Sequence, residues 1–200
     1  MVDEKHIELL LRQHFKVTGT VSISDQHKVS TSGDVQLMSH MPQLPVQFDH
    51  VGGKFTCNGK GVTSLQGAPH TVGGDFWCSN NQLTSLEGSA HTVGGTYWCS
   101  ANPITNLQGS PTWVAGSFWC AVCPLTSLEG APTRVGVDFW LDYSPDLPLL
   151  RLLNYAQFSI QNAPTKLAQI MKKYRGQSKA GAIKCAAELI RAGYKENARW

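Results

Sequence analysis

Charged residues are scarce in this chain of 200 residues, and long hydrophobic runs are absent. Charged side chains make up 16% of the sequence, against roughly 25% in an average soluble protein, which argues against a helical bundle with charged outer faces. No apolar run approaches the roughly 18 residues of a membrane-spanning helix. The N-terminal segment MVDEKHIELLLRQHF lacks the cleavage site of a signal peptide. We therefore expect a soluble, cytoplasmic protein with no membrane partner.

The motifs of common catalytic sites are also missing. The sequence contains no phosphate-binding loop, no nucleophile elbow and no paired-carboxylate signature. Cys120-x-x-Cys123 has the spacing of half a zinc site, but zinc would need two further ligands that converge on it. His70 and His91 could hold a metal ion together, although we expect them to be solvated loop residues. We predict that the protein is not an enzyme and has no metal site and no cofactor.

Glycine, in contrast, is abundant, and much of it belongs to a repeat. The chain contains 19 glycines and repeats every 21 residues, in units that begin at Val51, Val72, Val93, Val114 and Val135. An aromatic residue follows each of these valines by four positions, and in the first four units a cysteine follows by six. A spacing held over five copies without an insertion predicts a repeat solenoid.

Each unit alternates like a strand that buries one face. In the second unit, Phe76 and Cys78 are expected to point inward and Trp77 outward. Asn81 and Asn102 stand where a buried amide can satisfy backbone groups at the turn that leaves the strand. The pattern Phe-x-Cys-x-x-Asn-x-Leu-x-x-Leu matches the end of the leucine-rich-repeat pattern. We therefore predict an α/β solenoid with a leucine-rich-repeat parallel sheet and extended returns.

The repeated cysteines are expected to pack in the core rather than to react. They recur at the inward position of the first four units, while Cys123 occupies the register of the buried asparagine. A small inward hydrophobe is the simplest role for them in a reducing compartment.

Helical segments flank the repeats at both ends. At the N-terminus, Ile7 and Leu11 lie on one apolar stripe after Asp3, which is a good N-cap. At the C-terminus, Ser178 is expected to cap a helix whose apolar stripe includes Ile183 and Ile190. We predict an N-terminal helical cap, a solenoid and a basic helical C-terminal cap at residues 1–20, 21–148 and 149–200.

A row of outward tryptophans is the main candidate binding surface. One stands between the two inward side chains in four successive units, at Trp77, Trp98, Trp119 and Trp140. Fully exposed, the row would offer up to roughly 600–1,000 Å², more than the roughly 300–600 Å² of the largest apolar patch on a typical monomer. Acidic residues of the neighbouring registers give it a rim, at Asp75, Asp138 and Asp142. We expect a protein partner or a second copy of the chain to bind here, although stacking or cover within the chain, or a carbohydrate, are alternatives.

Charge is distributed unevenly along the chain, and the basic end suggests a nucleic acid as another kind of partner. Residues 1–150 carry a net charge of −5 and residues 151–200 a net charge of +8. The basic end could meet the phosphates of a nucleic acid through Lys172, Lys173, Arg175, Lys179 and Lys184. These lysines and arginines also interleave with apolar positions as any solvated helix face would.

Two of the units carry a resemblance to a known family. The segments VGGDFWCSNNQLTSLEGSAHT and VGGTYWCSANPITNLQGSPTW resemble leucine-rich-repeat proteins of large tailed bacteriophages, and the ending GQSKAGAIKCAAELIRAGYKENARW is similar to the helical tail that follows such arrays. The resemblance covers roughly residues 16–200. It implies expression inside an infected bacterium and a role in modulating a host or defence protein, and it brings no catalytic residues.

Overall fold

The computed structural model describes residues 4–200, which form a parallel β-solenoid of about six turns with helices at both ends. The predicted solenoid and its terminal helices are thereby confirmed. The helices are α1 (Glu4–His14), α2 (Thr165–Tyr174) and α3 (Lys179–Arg191), with short 3-10 helices at Leu150–Asn154 and Glu196–Ala198. Asp3, the predicted N-cap, lies outside the described residues.

One sheet, the tryptophan sheet, has eight strands. In spatial order these are β1 (Phe15–Val17), β4 (Val35–Leu37), β6 (Phe55–Thr56), β8 (Phe76–Trp77), β10 (Tyr97–Trp98), β12 (Phe118–Cys120), β14 (Phe139–Asp142) and β15 (Phe158–Gln161). All neighbours are parallel except β1 and β4. Identical positions of successive units lie side by side, because each coil is one repeat long.

The second sheet, the valine sheet, was not predicted from the sequence. Its seven strands are, in spatial order, β13 (Arg134–Val135), β11 (Trp113–Val114), β9 (Thr92–Val93), β7 (Thr71–Val72), β5 (Gln47–Val51), β3 (Lys28–Thr31) and β2 (Val21–Ile23). The valines that begin the first four units point inward and are buried. Glycines then carry the chain to the tryptophan sheet, and a Cβ added to Gly94 would clash with the carbonyl oxygen of Gly73.

The core between the sheets is a stack of like side chains. Tyr97 lies between Phe76 and Phe118, with ring centroids 5.1 and 5.3 Å away. All three rings are completely buried, and the hydroxyl of Tyr97 hydrogen-bonds to Ser89 at 2.7 Å. The buried phenol therefore has the polar partner that its position demands.

Asn81 and Asn102 are buried and satisfy backbone groups, as the sequence predicts, and in doing so they also join successive coils. The Asn81 amide donates to the carbonyl oxygens of Cys57 and Cys78, each at 3.0 Å, and its oxygen accepts from the N–H of Val62 at 3.1 Å. Cys123 occupies the same register, and its thiol contacts the carbonyl oxygen of Cys99 at 3.6 Å. Each of these side chains thus satisfies backbone groups of two coils.

The C-terminal region departs from the prediction in two places. The segment after the repeats forms not only helices but also β15, which pairs with β14 and extends the tryptophan sheet. In α3 the predicted stripe is wrong, because Ile183 and Ile190 are 64% and 53% exposed while Ala182, Cys185 and Leu189 are buried. The helix is rotated so that these three residues face the core, and the Cys185 sulfur lies 3.9 Å from that of Met171 on α2.

Candidate functional site

The tryptophans form one row on the outer face of the tryptophan sheet. They occupy four adjacent strands in register: Trp77 pairs with Trp98, Trp98 with Trp119, and Trp119 with Trp140. Each alternates with buried neighbours on its own strand, and each indole is itself half-buried. The pleat of the sheet therefore turns all four side chains away from the core.

The indoles lean on one another instead of projecting freely. Successive ring centroids are 5.6, 5.1 and 5.2 Å apart, and the first two pairs are close to perpendicular, at 76° and 67°. These distances fall within the range of favourable aromatic pairs. Because each ring covers part of the next, the row exposes less area than four isolated tryptophans would.

The two ends of the row differ. At the first end, the ammonium group of Lys54 lies 2.9 Å from the ring centroid of Trp77, as in a cation–π interaction. At the other end, Trp140 is paired with Ser159 of β15, so no further ring follows it. The N–H groups of Trp77 and Trp119 are buried and have no hydrogen-bond acceptor among the residues that the structure describes. Edge-to-face contacts with the neighbouring indole suit such groups, because a π-face accepts weak hydrogen bonds.

The predicted acidic rim contributes to the joining of the coils. Asp75 accepts a hydrogen bond from the N–H of Thr96 at 2.8 Å, and Asp142 accepts one from the N–H of Val122 at 2.5 Å. Asp138 accepts a hydrogen bond from the hydroxyl of Ser159 at 2.7 Å. All three carboxylates flank the row, so they combine a structural contact with a negative charge beside the indoles. The acids do not share one sequence relation to their donors, because Asp75 precedes the N–H that it accepts from by 21 residues whereas Asp142 follows its donor by 20.

The basic residues of the alternative site belong to two helices. Lys172, Lys173 and Arg175 lie at the end of α2, whereas Lys179 and Lys184 lie on α3. Lys173 is bonded to Glu188 at 2.7 Å. This hydrogen bond raises the pKa of Lys173, and the same contact lowers the pKa of Glu188. One of the five predicted phosphate contacts is therefore already neutralised within the chain.

The repeated cysteines lie in the core, as predicted from the sequence. The repeated cysteines are free and buried, and desolvation raises the pKa of Cys57 to about 12. Such thiols carry little thiolate at neutral pH and are poor nucleophiles.

The two repeat-related histidines stack on each other. The imidazoles of His70 and His91 are nearly parallel, at 4°, with centroids 5.3 Å apart. Over residues 4–200 the structure contains no cluster of three or more residues able to hold a metal ion.

Comparisons with protein-family models, with curated proteins and with solved structures found no match to the chain. Within the described part of the chain, no helix is both long and apolar enough to cross a membrane.

Proposed function

We propose that the chain is a leucine-rich-repeat solenoid that binds another protein through its tryptophan row and has no catalytic activity. The observation that carries the proposal is the alignment of Trp77, Trp98, Trp119 and Trp140 on four adjacent strands. Tryptophan is enriched among the residues that dominate the energy of protein interfaces. Its amphipathic ring also gives a large contact area at a small cost in conformational entropy.

The biological setting of the proposal comes from the sequence. The repeat units and the helical ending resemble those of phage leucine-rich-repeat proteins, so the proposed partner is a protein of an infected bacterial host, such as a component of a defence system. A second copy of the chain is the other partner that the row suits, because a two-fold axis would place one row against another.

Affinity capture from infected bacterial cells, followed by mass spectrometry, tests the proposal. The wild-type chain is compared with a Trp98→Ala/Trp119→Ala double variant, which removes the middle of the row. Loss of one interface hot spot costs about 2 kcal/mol or more, which corresponds to about 30-fold in affinity. We therefore expect the double variant to lose the captured partner while keeping its circular-dichroism spectrum.

Two further variants make the test specific. Trp113→Ala removes an exposed tryptophan of the valine sheet and should leave capture unchanged. Trp140→Ala disturbs the stack least, because its ring contacts only one other tryptophan, and it should still weaken capture. Equal capture by the wild type and by both row variants would show that the row binds no host protein. If sedimentation then shows that the wild type is a dimer and the row variants are monomers, the partner is a second copy.

A further inference from the structure

The tryptophan sheet has an open edge at its C-terminal end. Within residues 4–200, β15 is its last strand and pairs only with β14. The carbonyl oxygens of Gln157 and Gln161 face β14, where they accept from the N–H groups of Phe139 and Tyr143 at 3.2 and 2.8 Å. Backbone groups alternate in direction along a strand, so the N–H and C=O groups of Phe158 and Ile160 face the open edge. An edge with free N–H and C=O groups is a template for another strand.

The inward side chains of β15 are incompletely covered. Phe158 and Ile160 continue the core rows, in register with Phe139 and Leu141, but they are half-buried where the latter two are completely buried. A groove of about 260 Å³ lies between this strand and α2, where Met171 forms part of its wall. The solenoid core therefore reaches the surface along the open edge.

Two of the residues that line this groove are cationic. Lys172 and Arg175 lie beside the apolar wall, and the groove has no acidic lining residue. Neither cation forms an ion pair within residues 4–200, whereas the neighbouring Lys173 is bonded to Glu188. The whole segment 151–200 has a net charge of +8. A ligand that covers the apolar wall and balances this charge must itself be anionic.

We propose that an extended, acidic segment of a partner protein binds here as a ninth strand of the tryptophan sheet. Its backbone forms hydrogen bonds with the outward-facing N–H and C=O groups of Phe158 and Ile160, as in β-strand addition. Its groove-facing side chains alternate between an apolar residue against the wall and a carboxylate facing Lys172 and Arg175. This site is separate from the tryptophan row and does not depend on it.

The positive charge of the groove also helps to decide which kind of molecule binds at the edge of β15. If β15 of a second copy paired with this strand about a two-fold axis, the cations of the two grooves would lie side by side and repel each other. A nucleic acid would satisfy the cations, but it would leave the strand edge without backbone partners and the apolar wall without cover. The acidic peptide segment is the occupant that satisfies all three features.

The probe for this site is a fluorescent peptide, Glu-Thr-Val-Thr-Glu-Thr-Val, which presents Glu and Val alternately on one face. Its binding is measured by anisotropy against the full chain, with amide hydrogen exchange as a second readout. We expect saturable binding and slower exchange at the amides of Phe158 and Ile160. A peptide with Lys in place of Glu, and one with two consecutive N-methylated residues, should each bind at least about tenfold more weakly, since one inverts the charge and the other removes a donor from each strand edge.

A matched pair of variants separates the groove from the general charge. Lys172→Glu/Arg175→Glu should weaken peptide binding by at least about tenfold, whereas Lys179→Glu/Lys184→Glu, with the same change in charge on α3, should change it by less than about twofold. Trp98→Ala/Trp119→Ala should bind the peptide like the wild type, so failure of the tryptophan row and failure of this site are distinguishable.

Four results would overturn the proposal. These are no binding of the peptide up to about 1 mM, equal effects of the two charge-reversal variants, equal binding of the N-methylated peptide, and binding of a single-stranded oligonucleotide in place of the peptide. A dimer that forms through β15 and protects the same amides without any peptide would assign the edge to a second copy.

Discussion

Replacement of Asn102 by alanine should destabilise the solenoid, because this one side chain serves three backbone groups of neighbouring coils. Its amide donates to the carbonyl oxygens of Cys78 and Cys99, at 3.0 and 2.9 Å, and its oxygen accepts from the N–H of Leu83 at 3.1 Å. The side chain is almost completely buried. A methyl group at this place forms none of these bonds. The N–H of Leu83 then loses its acceptor, the carbonyl oxygen of Cys99 keeps only the long thiol contact of Cys123, and that of Cys78 keeps the amide of Asn81.

The size of the effect follows from the cost of orphaned polar groups. Each buried backbone group without a partner costs about 1–3 kcal/mol. The orphaned N–H of Leu83 and the weakened bond at the Cys99 carbonyl oxygen together give a loss of about 2 kcal/mol. For a chain of this length, that loss lowers the melting temperature by about 4–8 °C.

The equivalent position in the next coil holds a different residue, Cys123, which can be compared with Asn102. Cys123 occupies the equivalent place one coil later and makes only long thiol contacts, at 3.6 Å to the carbonyl oxygen of Cys99 and 3.5 Å to that of Ala121. We therefore expect Asn102→Cys to destabilise less than Asn102→Ala, and Cys123→Asn to raise the free energy of unfolding by about 1 kcal/mol. Urea and thermal denaturation followed by circular dichroism measure all three. An Asn102→Ala chain that unfolds at the wild-type midpoint would refute the role of this side chain in joining the coils.

Three other predictions concern strain, reactivity and pH. Val122 has a positive φ of 56° and is 71% exposed; Val122→Gly should raise the melting temperature, since a left-handed conformation costs a non-glycine residue roughly 1–2 kcal/mol, and an unchanged melting curve would contradict this. The thiol of Cys57, whose pKa burial raises to about 12, should react with iodoacetamide at pH 8 only when the chain is unfolded, and labelling of the folded chain would argue against its burial. The pKa of Glu188 is lowered mainly by its bond to Lys173, so its contribution to stability is present above the ordinary carboxyl pKa and disappears as the pH falls through the lowered value. Glu188→Gln should remove that part of the pH dependence of the melting temperature.

The period of 21 residues was sufficient to predict the solenoid and the inward and outward positions of the strands in the tryptophan sheet. Because each coil is one unit long, a position that is inward in one unit is inward in all, and Phe76 and Tyr97 are both buried as expected. The buried amides of Asn81 and Asn102 were predictable for the same reason, since an amide carries both the donor and the acceptor that the backbone groups at that register need. The outward direction of the tryptophans followed from the alternation of the strand.

Features that break the period, or that depend on contacts between coils, were not predictable. Phe158 follows Phe139 by 19 residues instead of 21, so β15 does not continue the repeat although it pairs in register. The rotation of α3 depends on its packing against α2. The hydropathy pattern predicted a buried stripe through the larger Ile183 and Ile190, whereas the small Ala182 is the residue that is buried. The two-residue strands of the valine sheet are too short to show an alternation of their own.

A comparison of the two outer faces argues that the tryptophan row is more than a consequence of the repeat. The stacking of coils requires like side chains at inward positions, but it places no such demand on outward ones. On the outer face of the valine sheet the residue changes from coil to coil, from Thr71 and Thr92 to Trp113 and Arg134. On the tryptophan sheet the same large residue is kept four times. Contacts between aromatic rings are worth only about 0.5–1.5 kcal/mol per pair, a gain that smaller or β-branched side chains partly supply in other sheets. A uniform row of indoles is therefore best explained by the surface that it presents, and this surface is where we place the binding of a partner.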